Sequence, residues 1–160
     1  MLINNVTRRE LSEFILRLTE QETKFYDIKK ENLKSFVYVN GYKANHQLVG
    51  VGGIGKYFHL IPHTFYMIKQ EYQGCGLGSM FAVENMKYAE KKYPFLITII
   101  ESGNIRAMKI AERWGFKLVI RRDTHSCYYK HFNGWGEIFG VIFPVLAAIH
   151  YFVKGRKSGN

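Results

Sequence analysis

With 160 residues, 47% of them apolar and 22% charged, the chain is large enough for one domain with a proper core and too apolar for a disordered segment. A formal charge of +10 favours anionic partners: a nucleotide cofactor, nucleic acid or an acidic membrane surface. Two distant cysteines, Cys75 and Cys127, exclude a disulfide framework and a metal-ligand pattern, and they predict a reducing, cytoplasmic setting. The N-terminal stretch lacks a basic segment followed by a long apolar run, so no signal peptide is read there.

In chain order, Met1 to Val6 reads as a first strand. Thr7 and Glu10 form a capping box, and Leu11, Phe14, Ile15 and Leu18 follow at helical spacing, which predicts a helix to about Glu20. Thr23 to Leu33 is a more charged helical or irregular segment. Phe36 to Val39 is rich in β-branched and aromatic residues and reads as a strand, closed by an Asn40-Gly41 turn signal. Gln47 to Ile54 is the next strand, and Tyr57 to Ile68 another, interrupted near Pro62. A helix is predicted from Gly76 to about Lys91, with Leu77, Met80, Phe81 and Tyr88 on one side. Phe95 to Ile100 is an apolar run suited to the centre of a sheet. Asn104 caps a helix that ends at Gly115, and two strands follow, Lys117 to Arg121 and Ser126 to His131. The order predicts an α/β fold: a mixed, mostly antiparallel central sheet flanked by helices.

The stretch with the clearest chemistry is Tyr66 to Ser79, a strand running into a loop with Gly74, Gly76 and Gly78 and then into a helix. Glycines at this spacing let backbone N–H groups converge, and the helix adds its free amides and positive dipole end. That is a site for a phosphate or pyrophosphate. Two rival motifs fail. Gly50 to Gly55 fits G-x-G-x-x-G, but no helix follows it, so those glycines predict a bulge or a close backbone approach. The Gly74 loop lacks the Lys-Ser/Thr of a P-loop.

Gln73-Gly74-Cys75-Gly76-Leu77-Gly78 matches Q/R-x-x-G-x-G/A, and Asn104-Ile105-Arg106-Ala107 with Trp114-Gly115-Phe116 follows one strand later. This pair resembles the GCN5-related N-acetyltransferase (GNAT) family over residues 1 to about 131. The resemblance implies an acetyl-CoA-dependent enzyme. The strand end Tyr66, Met67 and Ile68 would carry a bulge and pair with the pantetheine arm. The loop amides of Gln73, Gly74, Cys75, Gly76, Leu77, Gly78 and Ser79 would hold the pyrophosphate, and Asn104 would contact the pantetheine or phosphate region. The strands ending at Ile68 and Ile100 would splay, and the Ile68 N–H would stabilise the thioester oxyanion. Attack by a neutral amine needs a base, and Glu101, His63 and Glu71 are the candidates, in that order. For Glu101 a solvated strand end or an ion-pair partner is the competing reading, for His63 a surface or edge-strand role, and for Glu71 plain exposure. The family's usual tyrosine acid is replaced by Ala111. Tyr128, Tyr129 and Cys127 are substitutes, with sheet packing as their competing reading.

The segment 132–160 stands apart. Ile138 to Val153 is apolar all round, flanked by Trp135 and Tyr151 and followed by Lys154, Arg156 and Lys157. It reads as a membrane-associated segment over 135–157, short of the usual ~20 residues of a span. Packing over the sheet and exchange between copies in a homodimer are the alternatives. Two other functions stand beside the enzyme: a non-catalytic acyl-CoA sensor, suggested by Ala111, and a nucleic-acid binder, for which no motif is found. The sequence leaves the amine acceptor open.

Overall fold

The computed structural model describes residues 1–23, 30–57, 59–140 and 142. Thr7 and Glu10 make the capping box as expected: the Glu10 N–H donates to Thr7 Oγ1 at 3.2 Å and the Thr7 N–H to Glu10 Oε2 at 3.0 Å. Helix α1, Arg8–Leu16, buries Leu11 and Phe14. It stops before Glu20, because Thr19 and Glu22 build a second capping box that starts a new helix, α2, Glu20–Thr23. Of the segment from Thr23 to Leu33, residues 24–29 lie outside the described residues, and Lys30–Ser35 is a 3-10 helix.

Seven strands form one sheet: β1 Leu2–Asn4, β2 Phe36–Ala44, β3 Gln47–Tyr57, β4 Ile61–Ile68, β5 Phe95–Glu101, β6 Lys117–Arg121 and β7 His125–His131. Their spatial order is β1-β2-β3-β4-β5-β7-β6. Every neighbouring pair is antiparallel except β4 and β5. The mixed, mostly antiparallel sheet is as the sequence predicts.

The turn between β2 and β3 falls at Asn45 and His46, not at Asn40-Gly41. Asn45 and His46 have φ of 49° and 63°, the left-handed pair that a tight hairpin needs. Asn40-Gly41 lies inside β2 because tertiary packing uses both residues. Asn40 is fully buried, and its Nδ2 donates to Asn85 Oδ1 at 3.4 Å. Gly41 has no room for a side chain, since a Cβ there would stand 2.6 Å from Leu48. The next interruption is also displaced: β3 runs to Tyr57, and Pro62 lies within β4 opposite Lys56.

Helices α3, Leu77–Glu90, and α4, Ile105–Arg113, pack on one face of the sheet. Their Ala89, Ala107, Met108 and Ala111 join Ile54, Leu96, Ile100 and Tyr128 in one core cluster. On the other face, Leu11 and Phe14 of α1 meet Val51 and Met67. The glycines of β3 let α3 approach closely. A Cβ on Gly52 would stand 2.7 Å from Phe81, and one on Gly50 would stand 3.0 Å from its ring. No helix follows β3, so the dinucleotide fingerprint is excluded and close approach is the use these glycines serve. Asn85, one turn beyond Phe81, fixes the helix in register by donating to Thr64 Oγ1 at 2.8 Å and to the Phe65 carbonyl at 3.1 Å. Residues 134–140 form a further helix, α5, and residue 142 is also helical. Among the described residues no helix is long and apolar enough to cross a membrane. The rest of the apolar tail lies outside the described residues.

Gly52→Ala should lower stability by about 1–3 kcal/mol through overpacking. Combined with Phe81→Leu it should cost less than the sum of the two single changes, as read from urea midpoints of the four proteins.

A candidate acyl-CoA site at the parting of two strands

Strands β4 and β5 meet at a single residue pair, His63 with Ile97. Beyond it, toward Ile68 and Glu101, they separate. The β3–β4 ladder runs from Tyr57 opposite Ile61 to Gly50 opposite Ile68 without a register shift. The bulge that the family resemblance implies is therefore absent from this ladder, and the opening lies on the β5 side. The Lys69 N–H donates to the Val49 carbonyl at 3.0 Å, which makes Gly50–Ile68 a non-hydrogen-bonded pair. The N–H and C=O of Ile68, and by the two-residue repeat those of Tyr66, consequently point away from β3 and toward the opening.

After Ile68 the chain makes a 3-10 turn, Gln70–Tyr72, and enters the glycine loop. Gly74 and Gly76 have φ of 83° and 84°, a region that side chains disfavour. Gly76 is the N-cap of α3 and supplies no side-chain acceptor, so the amides of the first turn remain open for an anion. Gln73 Nε2 donates to the Ile68 carbonyl at 3.1 Å and ties the loop to the strand end. Across the opening, Asn104 caps α4 by accepting the Ala107 N–H at 3.1 Å.

These elements enclose a cavity of about 740 Å³. Tyr66, Ile68, Gln73, Gly74, Gly76, Gly78, Ser79 and Asn104 line it, so most of the predicted cofactor residues come together. Three do not face it. Met67 is buried beneath α1, Leu77 is buried in the core, and Cys75 is an exposed free thiol whose Sγ points at the Gln73 carbonyl. Alternation along β4 turns Met67 away, whereas the role expected of Cys75 and Leu77 falls to their backbone amides and not to these side chains.

Sequence reasoning missed two parts of the wall. Arg106, Lys109 and Arg113 lie along the cavity at helical spacing on α4, a row legible once α4 is placed. Gln21 and Glu22 reach it from α2. Glu22 Oε1 accepts the Gln70 N–H at 2.7 Å across 48 residues of sequence, which no local pattern signals. Its carboxyl pKa is lowered: desolvation is the largest single effect and raises it, but hydrogen bonds from the Thr19 and Gln70 amides and the Thr19 hydroxyl, with the Lys69 charge, together outweigh it.

The candidate bases part company. Glu101 ends β5, half-exposed, with His125 Nε2 at 4.0 Å, and it does not line the cavity. Glu71 is exposed, as expected. His63 is neither at the surface nor on an edge strand. It sits in the sheet centre, 8% exposed, stacked on Tyr57 at a centroid distance of 3.9 Å. The missing Cβ of Gly55 makes room for its ring, which would otherwise stand 2.5 Å away. Burial pushes its pKa down to about 4.

Ala111 is buried in the core. Of the suggested substitutes for the acid, the Tyr128 hydroxyl donates to Glu112 at 3.3 Å and the Tyr129 hydroxyl to the Gly136 carbonyl. Cys127 is buried, with its thiol pushed up to about 11 by burial. None of the three lines the cavity, and packing accounts for them. The Tyr66 side chain does line it. Its hydroxyl is buried without a hydrogen-bond partner, and burial pushes its pKa up to about 12.

A sequence model described as Acetyltransferase (GNAT) domain matches residues 5–117. The chain belongs to the GNAT acetyltransferase family. Membership supports acyl transfer as its general activity and acetyl-CoA as the matching donor. No curated protein matches it. Solved structures are similar in fold. A proposed acetyltransferase from Salmonella typhimurium, solved with its cofactor acetyl-CoA, superposes with a TM-score of 0.68 at 12% identity, over 83% of this chain and 94% of that one. A ribosomal-protein-alanine N-acetyltransferase from Brucella melitensis gives 0.64 at 18%, over 82% and 99%. A GNAT-family acetyltransferase from Streptococcus pneumoniae gives 0.61 at 16%, over 83% and 100%. At these identities the likenesses establish the fold.

Two outcomes follow from the site's backbone and burial. Gly76→Ala should destabilise the GNAT fold by about 1–2 kcal/mol although open space surrounds the position, because the cost is left-handed backbone and not a clash. Chemical denaturation measures it. For His63 the folded pKa lies below the unfolded one, so the unfolded chain binds more protons between pH 6.5 and about 4. Its contribution is fully present above pH 6.5 and is lost as pH falls toward 4. His63→Phe should flatten that part of the stability-versus-pH curve.

Proposed function

We infer that this GNAT protein is an N-acetyltransferase that moves an acetyl group from acetyl-CoA to a primary amine by direct attack on the thioester. The observation that carries the reading is the cavity that joins the uncapped N-terminus of α3 to the parting of β4 and β5. One end offers converging amides for a pyrophosphate, and the other offers unpaired strand backbone for an extended arm.

The roles follow from position. The loop amides from Gln73 to Ser79 take the pyrophosphate, and Arg106, Lys109 and Arg113 add positive charge for the remaining phosphate. The outward backbone of Tyr66 and Ile68 pairs with the pantetheine arm, where the Gln73 amide now stands in on the Ile68 carbonyl. The Ile68 N–H polarises the thioester carbonyl. Glu101, at the end of β5 outside the described cavity lining, receives the amine proton through water, with His125 beside it. The Tyr66 hydroxyl is buried away from the cavity surface, so the CoA thiolate, a tolerable leaving group, takes its proton from solvent in the absence of the tyrosine that Ala111 replaces. The two free cysteines suit a reducing, cytoplasmic setting.

A second reading rests on Ala111: a member that binds acyl-CoA without turning it over, as a sensor. Thiol release from acetyl-CoA over a panel of amines separates the two. Release with at least one amine supports the enzyme, and tight binding by calorimetry with no release supports the sensor. Gly74→Asp or Gly76→Asp should abolish binding, since a carboxylate would face the pyrophosphate. Unchanged affinity would sink both readings. Glu101→Gln should lower kcat by about 10²–10⁴-fold if it is the base, leaving the KM for acetyl-CoA in place.

A further inference from the structure

Helix α5 has two unlike sides. On the inner side, Gly136 and Gly140 lie one turn apart against the sheet. A Cβ on Gly136 would stand 2.4 Å from the Pro94 carbonyl oxygen, and one on Gly140 would stand 2.8 Å from the Tyr129 ring. Phe139 packs on Ile61, Phe95, Ile97 and Tyr129. The inner side is therefore fixed to the core. The outer side carries Trp135, Ile138 and Ile142, spaced three and four residues apart and 70%, 61% and 53% exposed. Spacing of this kind puts them in one stripe, unlike single hydrophobic residues scattered over a surface.

The sequence that follows limits what can cover this stripe. Residues 143–153 contain no Asp, Glu, Lys or Arg and have no polar side. Laid over the stripe, they would leave their own far side apolar in water. Two apolar surfaces in series call for a third apolar medium. A second copy of the chain would bring two bodies of charge +10 together. A bilayer supplies the medium without that cost, and with acidic lipids the same charge becomes favourable. Two cations lie beside the helix, and three more follow it in the sequence. Lys91 and Lys92 are exposed on the turn leading to Pro94, which touches Gly136, and Lys154, Arg156 and Lys157 follow the apolar run. The one acidic group on the described part of the helix, Glu137, lies 3.7 Å from His131.

We propose that the outer face of α5 docks this protein on an acidic phospholipid surface. The mode is interfacial: the helix lies along the surface with Trp135, Ile138 and Ile142 in the headgroup boundary. Phe95 pairs with His131, so α5 begins at the end of the sheet opposite Ile68 and Glu101. The cofactor cavity is not part of the docked face, and the proposal stands or falls independently of the acyl-transfer reading.

The test is flotation of the full-length protein with vesicles. Phosphatidylcholine vesicles containing about 30% phosphatidylserine should carry the protein up at least about tenfold better than phosphatidylcholine alone. Trp135→Ser/Ile138→Ser/Ile142→Ser should lose about tenfold or more in vesicle binding while keeping acetyl-CoA affinity. Lys91→Glu/Lys92→Glu, which leaves the helix untouched, should weaken binding to the acidic vesicles selectively. The proposal is overturned if neither vesicle carries the protein, or if the triple variant floats as well as the parent. It is also overturned if sedimentation velocity shows a dimer that the triple variant dissolves, since a second copy would then cover the face.

Discussion

The arrangement of this protein depends on one close contact, the Phe81 ring of α3 seated on the backbone of Gly50 and Gly52 in β3. Any side chain at Gly52 would meet the ring at 2.7 Å, so the helix lies as near the sheet as backbone allows. The distance matters for the site because α3 carries its own N-terminus to the cavity. Lifting the helix by one methyl would move the first-turn amides away from the strand end they work with. Asn85 sets the remaining freedom. Sliding or turning α3 would break its bonds to Thr64 and Phe65 inside a dry core, where an unpaired amide costs about 1–3 kcal/mol. Apolar closeness fixes the height of the helix, and polar pairing fixes its register.

Charge is sorted along the cavity in the same economical way. The end of the cavity at the glycine loop brings together the uncapped N-terminus of α3 and three side-chain cations on α4. Among the described lining residues Glu22 is the only carboxylate, and it is occupied by the Thr19 and Gln70 amides. It therefore fastens α2 to the root of the glycine loop without opposing a phosphate further along. The titratable groups deeper in the fold, His63, Tyr66 and Cys127, are all shifted by burial toward their neutral forms. The interior thus adds little charge of its own to compete with that of a ligand.

What could be read from the sequence was local. The Thr7 capping box, the glycine loop opening α3, the Asn104 cap and Gly115 at the end of α4 are set by residues within a few positions of each other, and the structure has them where expected. The local pattern misleads where distant residues decide. Asn40-Gly41 looks like a turn until Asn85 and Leu48 are placed beside it. His63 next to a proline looks peripheral until β5 is set alongside β4. Met67 sits within the predicted site in sequence yet faces α1, because one step along a strand reverses the side. Glu22 is legible as the far end of a capping box with Thr19, but its place in the site is not, since its partner there is a backbone amide 48 residues away.

The lone His63–Ile97 pair also gives the sheet a natural line of division. Strands β1 to β4 form a continuous hydrogen-bonded unit on one side, and β5 to β7 form another. Helix α3, which touches β3, β4, β5 and α4, is the brace across the line. The fold thus resembles two small modules clasped by a helix more than a single rigid plate. A chain built this way can widen or narrow the space beyond that pair without breaking the ladders inside either module. The width of the opening can therefore vary while the N-terminus of the brace keeps its height and register against β3 and β4.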